Sequence, residues 1–444
     1  MGSFDEEQIM TTRIRIGAIL IALIVLMTIP VTASESVQII SVATLPNLPL
    51  AQVQQIALPG APISNDRGIL LGGIGSDLYH MPGTPENEFW AVTDRGPNGE
   101  VEVNGDIRSI AYVPEFTPMI MKLVVINNVI TPVTIIPITT KNGKPVTGLP
   151  NREGPDPRFW DATGTKKLPF NPNGLDVEGM VRTTKGEFWI ADEYSPSLVH
   201  VNARGNVIAR YVPKGVNLRN TDYPVIEALP AAYALRKGNR GFEGISLSED
   251  EKTLFIALQS PLSAPDKVTG DRARSTRILK FDVPSKKVTG EYVYRLEVGA
   301  LFDPRPKMKQ TEMKISAIAA IDAQRALVLE RTDWAFAVYR IDFADATNIA
   351  GSVWSTTNKP ISLEFFAWPS DVAVTPVSKT LVFHSASLRA MPEKVEGLAI
   401  INATTLAIAN DNDFDVGAIG PDGMNQGTLK KSYIITLRVP DIAQ

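Results

Sequence analysis

The sequence predicts an all-β protein, folded as one β-propeller of about six or seven blades. Apolar runs of about four to eight residues recur along the chain, and Gly, Pro, Asn and Asp turns separate them. Three segments share one plan, in which Glu178, Glu243 or Glu396 precedes a glycine at the start of a strand-like run. Radial repetition brings distant repeats onto one axis, which favours a propeller over a two-sheet sandwich or two β-domains.

The N-terminal residues 1–33 are predicted to be a signal peptide. Arg13 and Arg15 precede the apolar run IGAILIALIVLMTIPV, and the small residues of TASES follow it. The alternative is an uncleaved membrane anchor. Against it, Thr28 and Pro30 interrupt the run, which is shorter than the roughly 20 residues of a membrane span. Either interpretation places the rest of the chain in the periplasm or outside the cell. Membrane contact is then limited to this segment.

Residues 34–67 form a predicted lead-in segment of short β-like runs and prolines, and residues 68–444 form the predicted propeller domain. Helical periodicity is concentrated in residues 223–238, where a central proline allows only short helices. Trp90 and Trp189 occupy matching positions in two strand-like runs, so they are expected to pack between blades. Strands are expected at residues 88–94, 119–128, 187–193, 253–259, 325–331, 380–386 and 406–413.

Composition excludes several classes of function. The net charge is −4, so the chain lacks the excess of basic residues that is typical of nucleic-acid-binding proteins. The chain has no cysteine, which excludes disulfides, thiolate metal sites and cysteine nucleophiles. It also lacks the G-x-S-x-G, R-H-G and G-x-x-x-x-G-K-[ST] motifs of serine hydrolases, histidine phosphatases and nucleotide-binding loops. His80, His200 and His384 share no ligand spacing, and they are expected in the core or at the surface.

Five motifs, in this order, resemble the phytase-like family, also called the esterase-like activity of phytase family. They are GGIGSDLYH with FWAVTDRGPNG, LDVEGMV with GEFWIADEYSPSLVHVNARG, NRGFEGISLSEDEKTLFIALQSPL, LVLERTDW, and KVEGLAI with NDNDF. The resemblance runs from about residue 68 to 415. It implies an exported β-propeller and, through the name of the family, hydrolysis of phosphoesters.

Acidic residues at the strand ends are expected to crowd into one mouth of the propeller channel. Such carboxylates cannot all stay ionised unless a cation compensates them, and a site made only of oxygen ligands suits Ca²⁺. Asn410, Asn412 and backbone carbonyls would complete its shell. The predicted metal ligands are Asp176, Glu178, Asp192, Glu193, Glu243, Glu330, Glu396, Asp411 and Asp413; Asp333 belongs to the same acidic set. The predicted catalytic residues are Glu178, Glu243, Glu396 and Asp94. The alternative is that each carboxylate only caps a turn.

Basic residues beside these carboxylates are predicted to hold an anionic substrate, because guanidinium groups make paired contacts to phosphate. They are Arg95, Arg240, Arg331 and Lys394. The alternative is that each one forms a salt bridge with its acidic neighbour. A further cluster, Arg272, Arg274 and Arg277 in GDRARSTR, either guides an anion or belongs to a solvated loop.

The leading hypothesis is therefore an exported, metal-dependent hydrolase acting on a small anionic phosphoester. A lactonase or carboxylesterase on the same propeller is the second hypothesis, which predicts few basic residues around the metal. A non-catalytic propeller that binds a ligand or a protein is the third, which predicts tight carboxylate–arginine pairs.

Overall fold

Residues 37–357, 361–440 and 442 are described by the computed structural model. The predicted signal peptide, residues 1–33, lies outside the described residues. Within them, no helix is both long and apolar enough to cross a bilayer.

The first strand of the described chain belongs to the last blade. β1 (Gln38–Thr44) pairs antiparallel with the final strand, Tyr433–Arg438. Helix α1 (Leu50–Ala57) follows and buries Leu50 and Val53. Residues 38–44 of the predicted lead-in segment 34–67 therefore form a strand of the propeller.

Blade 1 contains four strands and an inserted hairpin. In chain order these strands are β2 (Leu78–Tyr79), β3 (Glu88–Val92), the hairpin β4 (Asn98–Val103) and β5 (Asp106–Ala111), then β6 (Met119–Ile126) and β7 (Val129–Pro137). The order across the sheet is β2-β3-β6-β7, so the chain moves outward from the channel.

Blade 2 has four antiparallel strands and a fifth, parallel edge strand. The strands are β8 (Val177–Arg182), β9 (Phe188–Asp192), β10 (Ser197–Val201), β11 (Val207–Pro213) and β12 (Val225–Leu229). Of the short helices expected within 223–238, one is present, a 3-10 helix at Ala231–Leu235, whereas Val225–Leu229 forms the strand β12 instead. Pro230 separates the two.

Blades 3 and 4 repeat the outward order with four strands each. Blade 3 consists of β13 (Phe242–Leu247), β14 (Thr253–Leu258), β15 (Ser275–Asp282) and β16 (Lys287–Arg295), with the short helix α2 (Lys267–Arg272) before β15. After α3 (Gly299–Phe302), blade 4 consists of β17 (Lys314–Ala320), β18 (Arg325–Arg331), β19 (Phe336–Asp342) and β20 (Ser378–His384).

Blade 5 closes the ring. It consists of β21 (Val395–Asn402), β22 (Thr405–Asn410), β23 (Tyr433–Arg438) and the returning β1. The inner strands β2, β8, β13, β17 and β21 contact one another in sequence, and β21 returns to β2. The predicted all-β propeller is confirmed.

The described residues form five blades, fewer than the six or seven expected from length. The difference lies in the connections: residues 138–176, 343–357 and 361–377 lie outside the blade strands. Each of the seven predicted strand regions overlaps an observed strand. Length alone therefore overestimated the blade number, although the positions of the strands were predicted well.

Aromatic rings fill the spaces between blades. Trp90 of blade 1 packs on Phe188 of blade 2, with ring centroids 5.4 Å apart. Trp189 of blade 2 lies 5.8 Å from Phe281 of blade 3, and it also stacks on His200 at 4.2 Å. The predicted inter-blade role of both tryptophans is confirmed.

Candidate functional site

The three repeated glutamates lie at equivalent positions in three inner strands. Glu178, Glu243 and Glu396 are each the second residue of β8, β13 or β21. At each position the register with the next strand shifts, so the glutamate has no direct partner in the ladder. A bulge of this kind changes the direction of a side chain. The repeat seen in the sequence is thus a repeat in space.

The glycine after each glutamate allows neighbouring blades to approach closely. A Cβ atom on Gly179 would lie 2.6 Å from the carbonyl oxygen of Glu243, and one on Gly244 would lie 2.7 Å from the amide nitrogen of Ile318. Gly397 similarly meets the inner strand of blade 1. In each Glu-Gly pair, the glutamate therefore lies at a β-bulge, and the glycine allows the inner strands of neighbouring blades to pack closely.

The other two inner strands depart from this pattern. In blade 1 the carboxylate is Asp77, immediately before β2, and it accepts the amide N–H of Met180 at 3.2 Å. In blade 4 the equivalent position is Ser316, and Lys314 begins the strand. The equivalent position is therefore acidic in blades 1, 2, 3 and 5, whereas blade 4 has a serine there and Lys314 two residues earlier.

Asp176, Glu178 and Glu193 come together into one group. Each offers a carboxylate oxygen, and these oxygens lie within 4.8 Å of one another. Asp176 and Glu193 are buried, whereas Glu178 is half-buried. The charge of Glu243 acts on both Glu178 and Asp176. We call these four residues the acidic centre.

Three oxygens of the acidic centre are buried without a hydrogen-bond donor: Oδ1 of Asp176, Oε2 of Glu193 and Oε2 of Glu243. The second oxygen of Asp176 accepts Nη1 of Arg95 at 2.7 Å, and that of Glu243 faces Oγ of Ser316 at 3.3 Å. Buried polar atoms without a partner are rare in folded proteins. These oxygens mark a place where positive charge or a donor is missing.

The acidic centre disfavours its own ionisation. Burial raises the pKa of Glu193 to about 8 and that of Glu243 to about 7, and the charges of neighbouring carboxylates add to the effect. Burial also raises the pKa of Asp176 to about 6, against the opposing effect of Arg95. The pKa of Glu178 lies well above its ordinary value, through burial and then the charge of Glu243. A bound cation would reverse each of these shifts.

On the side of the mouth formed by blade 5, basic side chains pair with the carboxylates. The buried Arg331 forms an ion pair with Glu396, and its Nη1 lies 3.0 Å from Asp333. Its Nε donates to Oγ of Ser316 at 2.7 Å. Burial still raises the pKa of Glu396 to about 7, although Arg331 and Lys394 oppose the shift. Arg331 is thus held among carboxylates.

Lys394, immediately before β21, lies against the carboxylates of the NDNDF motif. Its Nζ lies 2.8 Å from Asp411 and also pairs with Asp413. Burial alone would raise the pKa of Asp411, but Lys394 and hydrogen bonds lower it below the ordinary value. The NDNDF carboxylates therefore surround a lysine, and the predicted metal role of Asp411 and Asp413 stays a prediction.

Asp94 and Arg95 reach the same mouth from blade 1. Oδ1 of Asp94 accepts the amide N–H of Gly96 at 2.7 Å, and burial followed by the charge of Asp411 raises its pKa well above the ordinary value. Arg95 bonds to Asn239 as well as to Asp176.

Two of the predicted metal ligands are held outside the acidic centre. Asp192 pairs with the buried Arg210 and accepts Oγ of Ser197 at 2.5 Å. Glu330 accepts the hydroxyl of Tyr294 at 2.7 Å and pairs with Lys379 at 2.9 Å. Their oxygens are engaged by side chains of neighbouring strands, and the predicted metal role of both residues stays a prediction.

Arg240 differs from the other predicted anion-binding residues. Its Nη1 donates to Oε1 of Gln259 at 2.9 Å, and within the described chain it forms no ion pair. Lys314, which sequence reasoning missed, lies nearby and pairs with Asp333 at 2.9 Å. Burial, followed by the charges of Arg331 and Arg240, lowers the pKa of Lys314 to about 8. A signal for Lys314 existed, because KISA at 314–317 aligns with KVEG at 394–397.

Comparison with known proteins gives one extensive match. A model of the phytase-like family, described as esterase-like activity of phytase, matches residues 69–414. An uncharacterized secreted protein of Arthroderma benhamiae is 26% identical over 273 residues, which cover 52% of each chain. This chain thus spans about half the length of that relative.

Solved structures with a similar course of the chain have low similarity scores. The calcium-binding protein regucalcin from Agrobacterium tumefaciens is 10% identical, with a TM-score of 0.32 over 90% of this chain and 100% of that one. The PQQ-bound aldose sugar dehydrogenase from Streptomyces coelicolor is 9% identical, with a TM-score of 0.33 over 90% and 98%. Likeness at this level carries no argument about activity.

Proposed function

The chain belongs to the phytase-like family, and from its acidic centre we propose that it is an exported, metal-dependent hydrolase of phosphoesters. The observation that carries the proposal is the set of three buried carboxylate oxygens without a donor, on Asp176, Glu193 and Glu243. An uncompensated group of this kind costs stability unless a ligand satisfies it. Export is supported by the signal-like N-terminus and by the secreted relative.

The donor set fits a calcium ion. Asp176, Glu178 and Glu193 would hold it, with Glu243 beside them, and every one of these donors is an oxygen. Calcium takes about six to eight oxygen ligands, whereas zinc prefers nitrogen and sulfur. When bound, a divalent cation supplies positive charge that polarises an ester oxygen and acidifies water.

The protein's own groups would then handle the protons. Oε2 of Glu243 is free to accept a proton from the attacking water, while Ser316 holds the other oxygen. Burial and the charge of Asp411 raise the pKa of Asp94 well above its ordinary value, which suits this carboxyl to donate a proton to the leaving alcohol. Glu396 acts indirectly, by orienting Arg331.

Phosphate is favoured as the substrate group by the basic side of the mouth. Arg240 has no carboxylate partner among the described residues, and the pKa of Lys314 is lowered by burial and by Arg331 and Arg240. Cations that repel one another are stabilised by a shared anion. Arg240 would therefore hold the phosphate, with Lys314 adding its charge from its pair with Asp333.

A lactonase or carboxylesterase is the second candidate, and one observation favours it. Three of the four basic residues expected to bind an anion are already paired with carboxylates: Arg95 with Asp176, Arg331 with Glu396, and Lys394 with Asp411. Less positive charge remains for a charged substrate than the sequence predicted.

The test measures turnover of the full chain on a phosphomonoester, phytate, a carboxylester and a lactone, each with Ca²⁺ and with a chelator. The proposal expects phosphate release that the chelator abolishes. Hydrolysis of only the ester or the lactone would favour the second candidate. No turnover of any of the four substrates, together with a Tm that Ca²⁺ does not change, would identify a propeller that only binds a ligand or a protein.

A matched pair of variants in β13 locates the activity. Glu243→Gln is expected to lower kcat by at least about a hundredfold, because general-base catalysis contributes roughly that factor. Glu249→Gln alters the exposed glutamate beyond the other end of the same strand and should leave kcat unchanged. Equal activity of both variants would remove Glu243 from the mechanism.

A further inference from the structure

A cavity of about 410 Å³ lies beside the third and fourth strands of blade 3. Three arginines and three aromatic rings line it, and we call it the arginine pocket: Arg272, Arg274, Arg295, Phe365, Phe366 and Trp368. Arg272 and Arg274 belong to the GDRARSTR cluster noted in the sequence. The helix α2 and the start of β15 therefore build this cluster into a pocket wall.

Two of the three guanidinium groups are fixed in place by the protein. Arg295 lies over the ring of Trp368, with 3.9 Å from Cζ to the ring centroid, and its Nη1 donates to the carbonyl of Ala367 at 2.5 Å. Nε of Arg274 donates to the carbonyl of Leu296 at 2.8 Å. Each bond uses one N–H group, so further N–H groups on both side chains remain available to a ligand.

The arginines in the lining of the pocket outnumber its carboxylates. Among the described residues, Arg272, Arg274 and Arg295 form no ion pair. Glu364 is the one carboxylate in the lining of the pocket, and it already pairs with the buried Arg277 at 3.0 Å. Its Oε2 has no donor.

The aromatic side of the pocket is open to solvent. Trp368 is 57% exposed and Phe365 is 58% exposed. These exposed rings form an apolar surface beside the guanidinium groups, as ligand-binding sites often do. The cavity also has the size of an ordinary small-molecule site. The wall thus offers paired donors at one side and ring faces at the other.

We propose that the arginine pocket binds a small oxyanion, phosphate or carboxylate, carried on an aromatic body. Arg272 and Arg274 take the anion through their free N–H groups, while Trp368 and Phe365 cover the ring. Both strand ends that border the pocket, the start of β15 and the end of β16, lie on the face of the propeller that carries the start of β13. The site therefore shares a face with the acidic centre but belongs to the outer part of blade 3.

Calorimetric titration of the full chain with phenyl phosphate, benzoate and inorganic phosphate tests this, with a chelator present so that no metal contributes. Phenyl phosphate or benzoate should bind, and inorganic phosphate should bind at least about tenfold more weakly, because it lacks the ring. Undetectable binding of both aromatic anions at millimolar concentration would overturn the proposal. Inorganic phosphate binding as tightly as phenyl phosphate would overturn the aromatic part.

Variants assign the binding to this pocket. The double change Arg272→Gln with Arg274→Gln should weaken the aromatic anion at least about tenfold, since charge-assisted hydrogen bonds are lost. Arg204→Gln, at an exposed arginine in the turn of blade 2, should leave the affinity unchanged. Unchanged affinity in the double variant would place the binding elsewhere. Glu243→Gln separates the two sites, because it should abolish metal-dependent hydrolysis while the anion still binds.

Discussion

Two buried charged regions of this propeller differ in how their carboxylates are compensated. In the ion cluster of blade 3, Arg277 pairs with Glu291 at 2.8 Å and with Glu364 at 3.0 Å. Ser355 donates a further hydrogen bond to Glu291. In the acidic centre, only Asp176 among the four carboxylates forms an ion pair within the described chain, with Arg95 at 2.7 Å.

Burial of carboxylates alone therefore does not distinguish a candidate site. Glu291 and Glu193 are both almost fully buried, yet one has a built-in cation and the other has an unpartnered oxygen. The ion cluster supplies its own cation, because Arg277 pairs with both Glu291 and Glu364, although one oxygen of Glu364 is left without a donor. The acidic centre is complete only when something from outside supplies positive charge.

The largest effect is expected from removing the built-in cation. Arg277→Met leaves Glu291 and Glu364 buried without their partner, so the free energy of unfolding should fall by about 3–5 kcal/mol. Denaturant unfolding monitored by tryptophan fluorescence measures it. A loss below about 1 kcal/mol would mean that the two carboxylates need no compensation, and the comparison would fail.

The acidic centre should make the metal-free protein less stable as pH rises. Burial, with neighbouring charges, raises the folded-state pKa of Glu193 to about 8 and that of Glu243 to about 7, from an ordinary 4.5. Between pH 4.5 and 8 the unfolded chain therefore binds fewer protons than the folded one, so the free energy of unfolding falls as pH increases.

We expect a loss on the order of 2 kcal/mol across this interval in chelator. Thermal unfolding at a series of pH values measures it, and Ca²⁺ should restore Tm most strongly at pH 8. A Tm that is independent of both pH and Ca²⁺ would show that the acidic centre needs no cation.

Replacing one uncompensated carboxylate should raise the free energy of unfolding, whereas Arg277→Met should lower it. Glu193→Gln keeps the oxygen that accepts the amide of Gly241 at 3.2 Å and removes a charge. In chelator at pH 8 the variant should be more stable than the parent by about 1 kcal/mol, while its affinity for Ca²⁺ falls at least about tenfold. Destabilisation in chelator would instead assign Glu193 a purely structural role.

The smallest effect is expected at a partly exposed pair. Lys122 and Glu88 lie 2.7 Å apart on adjacent strands of blade 1, where water screens their attraction. Lys122→Gln should change the free energy of unfolding by less than about 1 kcal/mol. A change as large as that of Arg277→Met would show that compensation matters equally at the surface.

Sequence reasoning predicted the propeller, its strands and the repeated glutamates, because strand periodicity and the Glu-Gly pattern are local. It also identified the family, which the match over residues 69–414 confirms. It did not predict that Glu330 pairs with Lys379, or that Asp192 pairs with Arg210. Those pairs depend on the register of strands distant from each carboxylate, which no short motif records.

Ring closure through β1 has a consequence for how the protein folds. Gln38 pairs with Arg438, so the fifth blade needs both ends of the described chain. Contacts between residues so distant in sequence give a high contact order, and such topologies fold slowly. Blades 1 to 4 can be completed while synthesis continues, but the fifth must wait for the last strand to emerge. Until then blade 5 presents unpaired strand edges, the features by which incomplete β-proteins aggregate.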